Sequence, residues 1–286
     1  MRDWINWPLN NQLRKLRLED AGIDESDVPD LFSWVRSEPM GLVSVDQETG
    51  KIKEAQRKNE FSDVVIPVAF MIMMYMLSLM GSMPLLHSVL EEKTQRIAEF
   101  LLGSIRPFEF MLGKVLGAVG VTLTSSAVYL SAVLVLAFRM GIQDQIPYHL
   151  LPWFFSYLLL MILMMGSLNT AIGSACSDAK DLQNFTFPAM LPVLIPMFCF
   201  VAVLREPSST FATVLSLIPP FTPMLMLLRQ ALPGGVPAWQ PWAGLTGVVL
   251  MTLFMIWTGG RIFRVAILIQ GKSPKLGRFL KWALKG

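Results

Sequence analysis

The chain has 286 residues, of which 53% are hydrophobic and 16% charged, with a mean hydropathy of +0.51. That is too apolar for a domain whose only solvent is water. The net charge of +3 conceals an asymmetry, because residues 1–63 carry 9 basic and 13 acidic side chains, a net −4, whereas residues 64–286 carry 15 and 8, a net +7. Two cysteines, Cys176 and Cys199, are too few for a disulfide framework or a CxxC metal motif, so they read as packed thiols. His87 and His149 have no second ligand at metal spacing, and no metal is assigned.

Met1–Asn59 has scattered charges and no apolar core of a secretory signal. Within it, Leu9–Leu18 reads as a short helix, and Gly41–Val45 with Lys51–Lys53 reads as a β-hairpin across Asp46–Gly50. So small a segment has little core of its own. From residue 64 onward, cutting the chain at its charges leaves runs at 64–90, 115–138, 145–177, 182–204, 207–228 and 230–260, each longer than the ~20 residues that cross a bilayer. Spans are expected at Val64–Met83, Met111–Phe138, Leu151–Ser174, Phe185–Leu204 and Trp242–Gly260. Trp153, Trp239 and Trp242 fall near span ends, where amphipathic rings favour the headgroup layer. Gly113, Gly117 and Gly120 place small residues on neighbouring turns, which is either an approach surface for another helix or ordinary membrane glycine.

The run 207–228 breaks the pattern. Pro219, Pro220 and Pro223 remove backbone donors where no water replaces them, so two short helices dipping in from one surface are expected there. Five spans then put the chain ends on opposite sides. The side shared by the tail carries twelve Lys and Arg residues, from Lys93 to Lys285, against Arg139, Arg205 and Arg229 opposite. By the positive-inside rule the tail is cytoplasmic and residues 1–63 lie outside. A charged segment translocated without an export signal implies either a longer protein of which this is the C-terminal part, or export by the pull of the first span.

The segment Ser88–Arg106 carries the chemistry. Ser88 and Glu91 fit a capping box, so a fresh helix is expected to begin there. Leu90, Thr94, Ile97, Leu101 and Ile105 form one stripe, Glu92 and Arg96 stand at i, i+4, and Gly103 with Pro107 ends the helix. Such a helix either rests in the lipid interface or docks into a soluble partner. Three acids against two bases before Arg106 favour the protein partner, because interfacial anchors meet anionic lipid with Lys and Arg.

The run Glu91-Glu-Lys-Thr-Gln-Arg-Ile-Ala-Glu-Phe-Leu-Leu-Gly-Ser-Ile-Arg-Pro-Phe, closing on Gly113-Lys114, resembles the signature of the ABC type-2 (ABC-2) permease family. Gly173–Gln183 resembles its second cytoplasmic loop, and Ile218–Arg229 its re-entrant extracellular element; the likeness is strongest to the sodium-exporter-like branch. The resemblance implies an all-α integral membrane protein with about five transmembrane helices, a cytoplasmic amphipathic coupling helix and a re-entrant extracellular helical hairpin. It divides the chain into a small extracytoplasmic segment at 1–63, the remnant of a larger extracellular domain, a permease domain at 64–271 and a basic cytoplasmic tail at 272–286. The family's usual first transmembrane helix has no counterpart here.

What the resemblance implies for function is the permease subunit of an ATP-driven exporter, not an enzyme, in the cell (inner) membrane. Glu91, Glu92, Lys93, Thr94, Arg96 and Glu99 would couple to a separate ABC ATPase, which holds the ATP and Mg. Asp178, Lys180, Asp181 and Gln183 would form the second cytoplasmic loop, and Pro219, Pro220, Pro223 and Arg229 the re-entrant element. A second permease copy or paralogue and membrane lipid are the other partners, with no nucleic acid.

Ala266–Ser273 matches a relaxed phosphate-loop pattern, but its bulky apolar middle and the thirteen residues after it leave no nucleotide-binding domain. The basic run Arg261–Lys285 instead suits the anionic inner leaflet. An intramembrane enzyme would need a nucleophile with a base, a metal motif or paired acids, and the runs hold none; Ser125, Ser126, Ser167 and Asn169 read as helix-packing hydrogen bonders. A truncated or structural subunit without independent transport is the remaining alternative. A conventional ion carrier would place charge near the bilayer centre, where these spans have none.

Overall fold

Uncharged runs of this length become helices because a bilayer leaves backbone polar groups no partner except one another. The computed structural model describes residues 64–95, 97, 103–141, 146–232 and 236–267, with the strand pair at 44–45 and 52–53. The chain divides into two units, Met1–Lys58 and Asn59–Gly286. In the first, β1 (Ser44–Val45) pairs antiparallel with β2 (Ile52–Lys53), Ser44 opposite Lys53 and Val45 opposite Ile52. This is the expected hairpin; the helix expected at Leu9–Leu18 lies outside the described residues, as does the tail beyond Ile267.

The second unit holds, among its described residues, α1 (Ile66–Thr94), α2 (Pro107–Met140), α3 (Leu151–Ala175, preceded by a 3-10 turn at Tyr148–Leu150), α4 (Ala179–Arg205), α5 (Thr210–Leu217), α6 (Thr222–Ala231) and α7 (Trp239–Ala266). Five are long and apolar enough to cross a membrane: α1 to α4 and α7. The count agrees with the sequence, and the proline-rich run 207–228 forms the expected two short helices, α5 and α6.

One expectation fails. α1 does not stop near Met83 and restart at Ser88; it continues to Thr94, with Pro84 inside it. Ser88 sits in the helix interior, where its Oγ reaches the Leu85 carbonyl (3.5 Å) instead of capping a new first turn. A Ser-x-x-Glu pattern signals an N-terminus only where backbone N–H groups lack partners. Pro107 opens α2, with Arg106 extended at its N-cap, and the segment expected to end at Gly103 and Pro107 lies mostly outside the described residues.

α3 is the hub. It packs along α1 and α7 and, less extensively, α2, and its buried face runs from Phe154 to Ala175. Close approach depends on two glycines. A Cβ on Gly173 would stand 2.5 Å from the Leu86 carbonyl oxygen of α1, and one on Gly259 of α7 would stand 2.9 Å from the Ser167 carbonyl oxygen. Backbone against backbone leaves no side chain to yield. Gly173→Ala should therefore destabilise the bundle by about 1–3 kcal/mol. Gly117→Ala, where nothing lies within 4 Å, should be neutral or stabilising by up to ~1 kcal/mol. Thermal unfolding of the purified chain in detergent compares them; equal losses would refute the close-packing account. Gly113, Gly117 and Gly120 are all open on the outer face of α2, so among the described residues that stripe meets no neighbouring helix.

Polar side chains divide in the same way. Asn169 of α3 donates across to the Ser82 carbonyl of α1 (2.9 Å), as expected of a helix-packing group. Ser125, Ser126 and Ser167 instead donate to carbonyls of their own helices, at Val121, Leu123 and Leu163. A short hydroxyl finds the preceding turn before it finds a neighbour.

Candidate functional site

Two ends of the bundle carry the singled-out residues. At the first, α1 projects its last turn past the membrane-length apolar run. The turn is polar because Glu91, Glu92, Lys93 and Thr94 follow one another, and a helix turns consecutive residues to different faces. Glu91 and Thr94 face outward and are exposed, Thr94 Oγ1 donating to the Glu91 carbonyl (2.9 Å). Glu92 and Lys93 face the bundle.

Lys93 Nζ donates to the Ser174 carbonyl at the end of α3 (2.5 Å) and to the Ala266 carbonyl at the end of α7 (2.9 Å). Both belong to the last turn of a helix, where carbonyls lack helical partners and the macrodipole is negative, so an ammonium is favoured twice. Glu92 Oε1 pairs with Lys114 Nζ of α2 (2.7 Å), which also donates to Ser88 Oγ (2.9 Å) and lies 5.6 Å from the Phe110 ring centroid. One turn of α1 thus grips the facing ends of α2, α3 and α7. The expected Glu92–Arg96 pair falls outside the described residues, as do Arg96 and Glu99 themselves. The predicted apolar stripe is divided: Leu90 is buried, while Ile97 and Ile105 are exposed.

The expected second loop is very short. Only Cys176 and Ser177 separate α3 from Asp178, the N-cap of α4. The Asp181 N–H donates to Asp178 Oδ1 (2.7 Å), and the Ser177 N–H reaches Asp181 Oδ2 (3.4 Å), a reciprocal cap. Lys180 and Gln183 are exposed. Cys176 is fully buried; desolvation first, then the Asp181 carboxylate, pushes its thiol up to about 11, with Lys93 opposing.

At the opposite end, α5 and α6 form a hairpin whose turn, Ile218–Phe221, contains Pro219 and Pro220, half-buried, while Pro223 opens α6 and is buried. The tip reaches inward beside α7: Pro219 lies against Gly247 and Thr222 against Gly244. Gly247 is eight residues into α7, roughly 12 Å along its axis. Arg229 is buried at 2% exposure and fastens the hairpin, donating from Nε to the Pro207 carbonyl (2.8 Å), from Nη1 to Ser216 Oγ (2.6 Å) and from Nη2 to Thr213 Oγ1 (3.1 Å). The aromatic residues expected near span ends gather at this end, with Trp153 edge-on to Trp242 at 5.1 Å between centroids. Among the described residues no group of His, Cys, Asp or Glu could hold a metal ion.

The family described as "ABC-2 family transporter protein" matches residues 9–261. The chain belongs to the ABC-2 transporter family. Membership makes it a transporter membrane component. Similar proteins are the uncharacterized protein YhaP of Bacillus subtilis (strain 168), 26% identical over 282 residues, covering 93% of this chain and 64% of that protein, and the uncharacterized protein MJ1024 of Methanocaldococcus jannaschii, 25% identical over 240 residues, covering 82% and 57%. The ABC-2 chain therefore spans about three fifths of the length of these relatives. No solved structure matches it. Lys114 was legible in the sequence as part of a motif; its partner Glu92, and the carbonyls of Ser174 and Ala266, became visible only once helix ends were brought together.

Proposed function

We propose that this ABC-2 chain is the membrane-spanning permease subunit of an ATP-driven exporter, moving substrate outward when a separate ABC ATPase closes against the end of α1. The supporting observation is the grip of one polar turn on three helix ends, through Lys93 on Ser174 and Ala266 and through Glu92 on Lys114. Glu91, Thr94 and Ile97 present an outward face to the ATPase, and Glu92 and Lys93 carry its displacement into the bundle. Arg96 and Glu99 extend that coupling segment, and Asp178, Lys180, Asp181 and Gln183 form a second contact. The excess of Lys and Arg puts this end in the cytoplasm of a cell (inner) membrane, with the α5–α6 hairpin re-entrant from outside, residues 1–63 outside and 272–286 inside. A second permease copy or paralogue completes the path, and ATP with Mg belongs to the partner ATPase.

Co-expression with ABC ATPase chains and purification through a tag on this chain tests the reading. Wild type should retain an ATPase, and Glu91→Lys with Ile97→Asp should cut recovery about tenfold or more without changing the size-exclusion profile. A folded chain that retains no ATPase would overturn the permease assignment in favour of a structural membrane subunit.

A further inference from the structure

α1 and α2 meet at two places and part between them. At the first, Gly81 of α1 lies so close to Thr122 of α2 that any Cβ there would meet the Thr122 hydroxyl. At the second, nearer the polar end of α1, Lys114 of α2 donates to Ser88 Oγ (2.9 Å) and pairs with Glu92 (2.7 Å). Between them lies an open groove of about 250 Å³, walled by Met80, Pro84, Leu85 and Ser88 of α1 and by Ala118 and Val121 of α2. Gly81 beside Thr122 and Ser88 beside Lys114 fix an antiparallel register, which sets Leu85 opposite Ala118 in mid-groove. Pro84 stands in the same wall, where the ladder of backbone hydrogen bonds along α1 is broken.

We propose that Leu85–Thr94 is a strap that closes into this groove, onto α2, when its tip is displaced. Tethers at the tip pull in different directions. Lys93 holds it to the carbonyl ends of α3 and α7, at Ser174 and Ala266, while Lys114 holds it to α2. Release of Lys93 leaves the pull of Lys114, and the groove gives room on that side. α3 offers a smooth surface for the passage, because Gly173 puts no side chain against Leu86 and Val89. Ala118 is small enough to admit Leu85. Met80 and Val121 are 58% and 71% exposed, so the groove opens sideways to the bilayer and acyl chains leave it as the strap closes. The two positions make a bistable element of the kind that a small local displacement can tip. The trigger rests on the coupling reading, in which a closing ATPase displaces the tip; the strap itself requires only that Lys93 let go of α3 and α7.

The test uses the full chain in detergent, with Cys176→Ser and Cys199→Ser, and follows disulfide formation under a mild oxidant between Leu85→Cys and Ala118→Cys, one on each wall. Lys93→Met should speed this cross-link about fivefold or more, because the closed position becomes better populated. Ser88→Cys with Ala118→Cys, which spares the packing of Leu85, should respond in the same direction. Met80→Cys with Val121→Cys, on the other side of Pro84, should cross-link at one rate with Lys93 or methionine at that position. Pro84→Ala, which restores the donor to the Met80 carbonyl, should cancel the gain. Equal rates at Leu85 and Ala118 in Lys93 and Lys93→Met chains, a matching rise at Met80 and Val121, or a rise that survives Pro84→Ala would each overturn the strap. Co-purification reads the coupling separately: a chain that keeps the cross-link response yet retains no ABC ATPase refutes the coupling reading and leaves the strap standing.

Discussion

Lys93→Met is expected to loosen the end of the bundle that the coupling segment holds. Methionine keeps the apolar stem but removes the ammonium, leaving the carbonyls of Ser174 and Ala266 without their shared donor. Charge-assisted bonds of this kind contribute about 1.5–3 kcal/mol each, and two on one group do not add in full, so a loss on the order of 3 kcal/mol follows. Cys176 reports it. Buried, with its thiol pushed up to about 11, it stays protonated and slow to alkylate at pH 8 in a Cys199→Ser background. Opening the end hydrates the thiol and relieves the desolvation that is the main cause of its rise, which outweighs the loss of the opposing Lys93 charge. Trapping by maleimide should therefore rise by up to about 100-fold in Lys93→Met, the difference narrowing as pH approaches 11. Lys93→Arg keeps the charge but not the single-point geometry, and should fall between the two. Equal trapping in Lys93→Met and Lys93 proteins would show that the end is held by packing alone.

Arg229→Met should release the opposite end. The guanidinium ties the Pro207 carbonyl, Thr213 Oγ1 and Ser216 Oγ to α6, and its removal leaves these buried and part-buried acceptors around an apolar side chain. About 3 kcal/mol is expected, with amide hydrogen exchange rising over Thr210–Ala231 and not in α3. Lysine recovers little, because one ammonium cannot reach three acceptors that a planar fork spans. Unchanged exchange would mean that the buried run Thr222–Leu228 suffices to seat the hairpin.

Much of this architecture was legible in sequence, since a membrane span is written in the absence of charge, and the hairpin in prolines that no continuous helix tolerates. Faces were harder. Gly113, Gly117 and Gly120 carry the more suggestive spacing, yet they look away from the bundle, while Gly173 and Gly259, in no repeat, admit a neighbouring backbone. Spacing shows which residues share a face but not which neighbour that face meets. Ser88 misled for a related reason: a capping pattern describes an end, and only the continuity of hydrogen bonds tells whether the end exists. The division of Glu91 and Thr94 from Glu92 and Lys93 was implicit in helical geometry, but its meaning depended on where α2, α3 and α7 finish.

α1 is one rod of 29 residues, roughly 43 Å long, against a hydrocarbon layer of ~30 Å. Pro84 stands ten residues before its tip and eighteen after its start, and withholds the hydrogen bond that would join it to Met80. Bending stiffness is lowest at that residue. A sideways push of 3 Å on the tip, with about 15 Å of helix beyond the proline, amounts to a swing of roughly 11° about this joint. The same displacement spread over the whole rod would tilt it by only about 4°. Proline thus divides α1 into a short arm that turns easily and a long one that stays with the membrane.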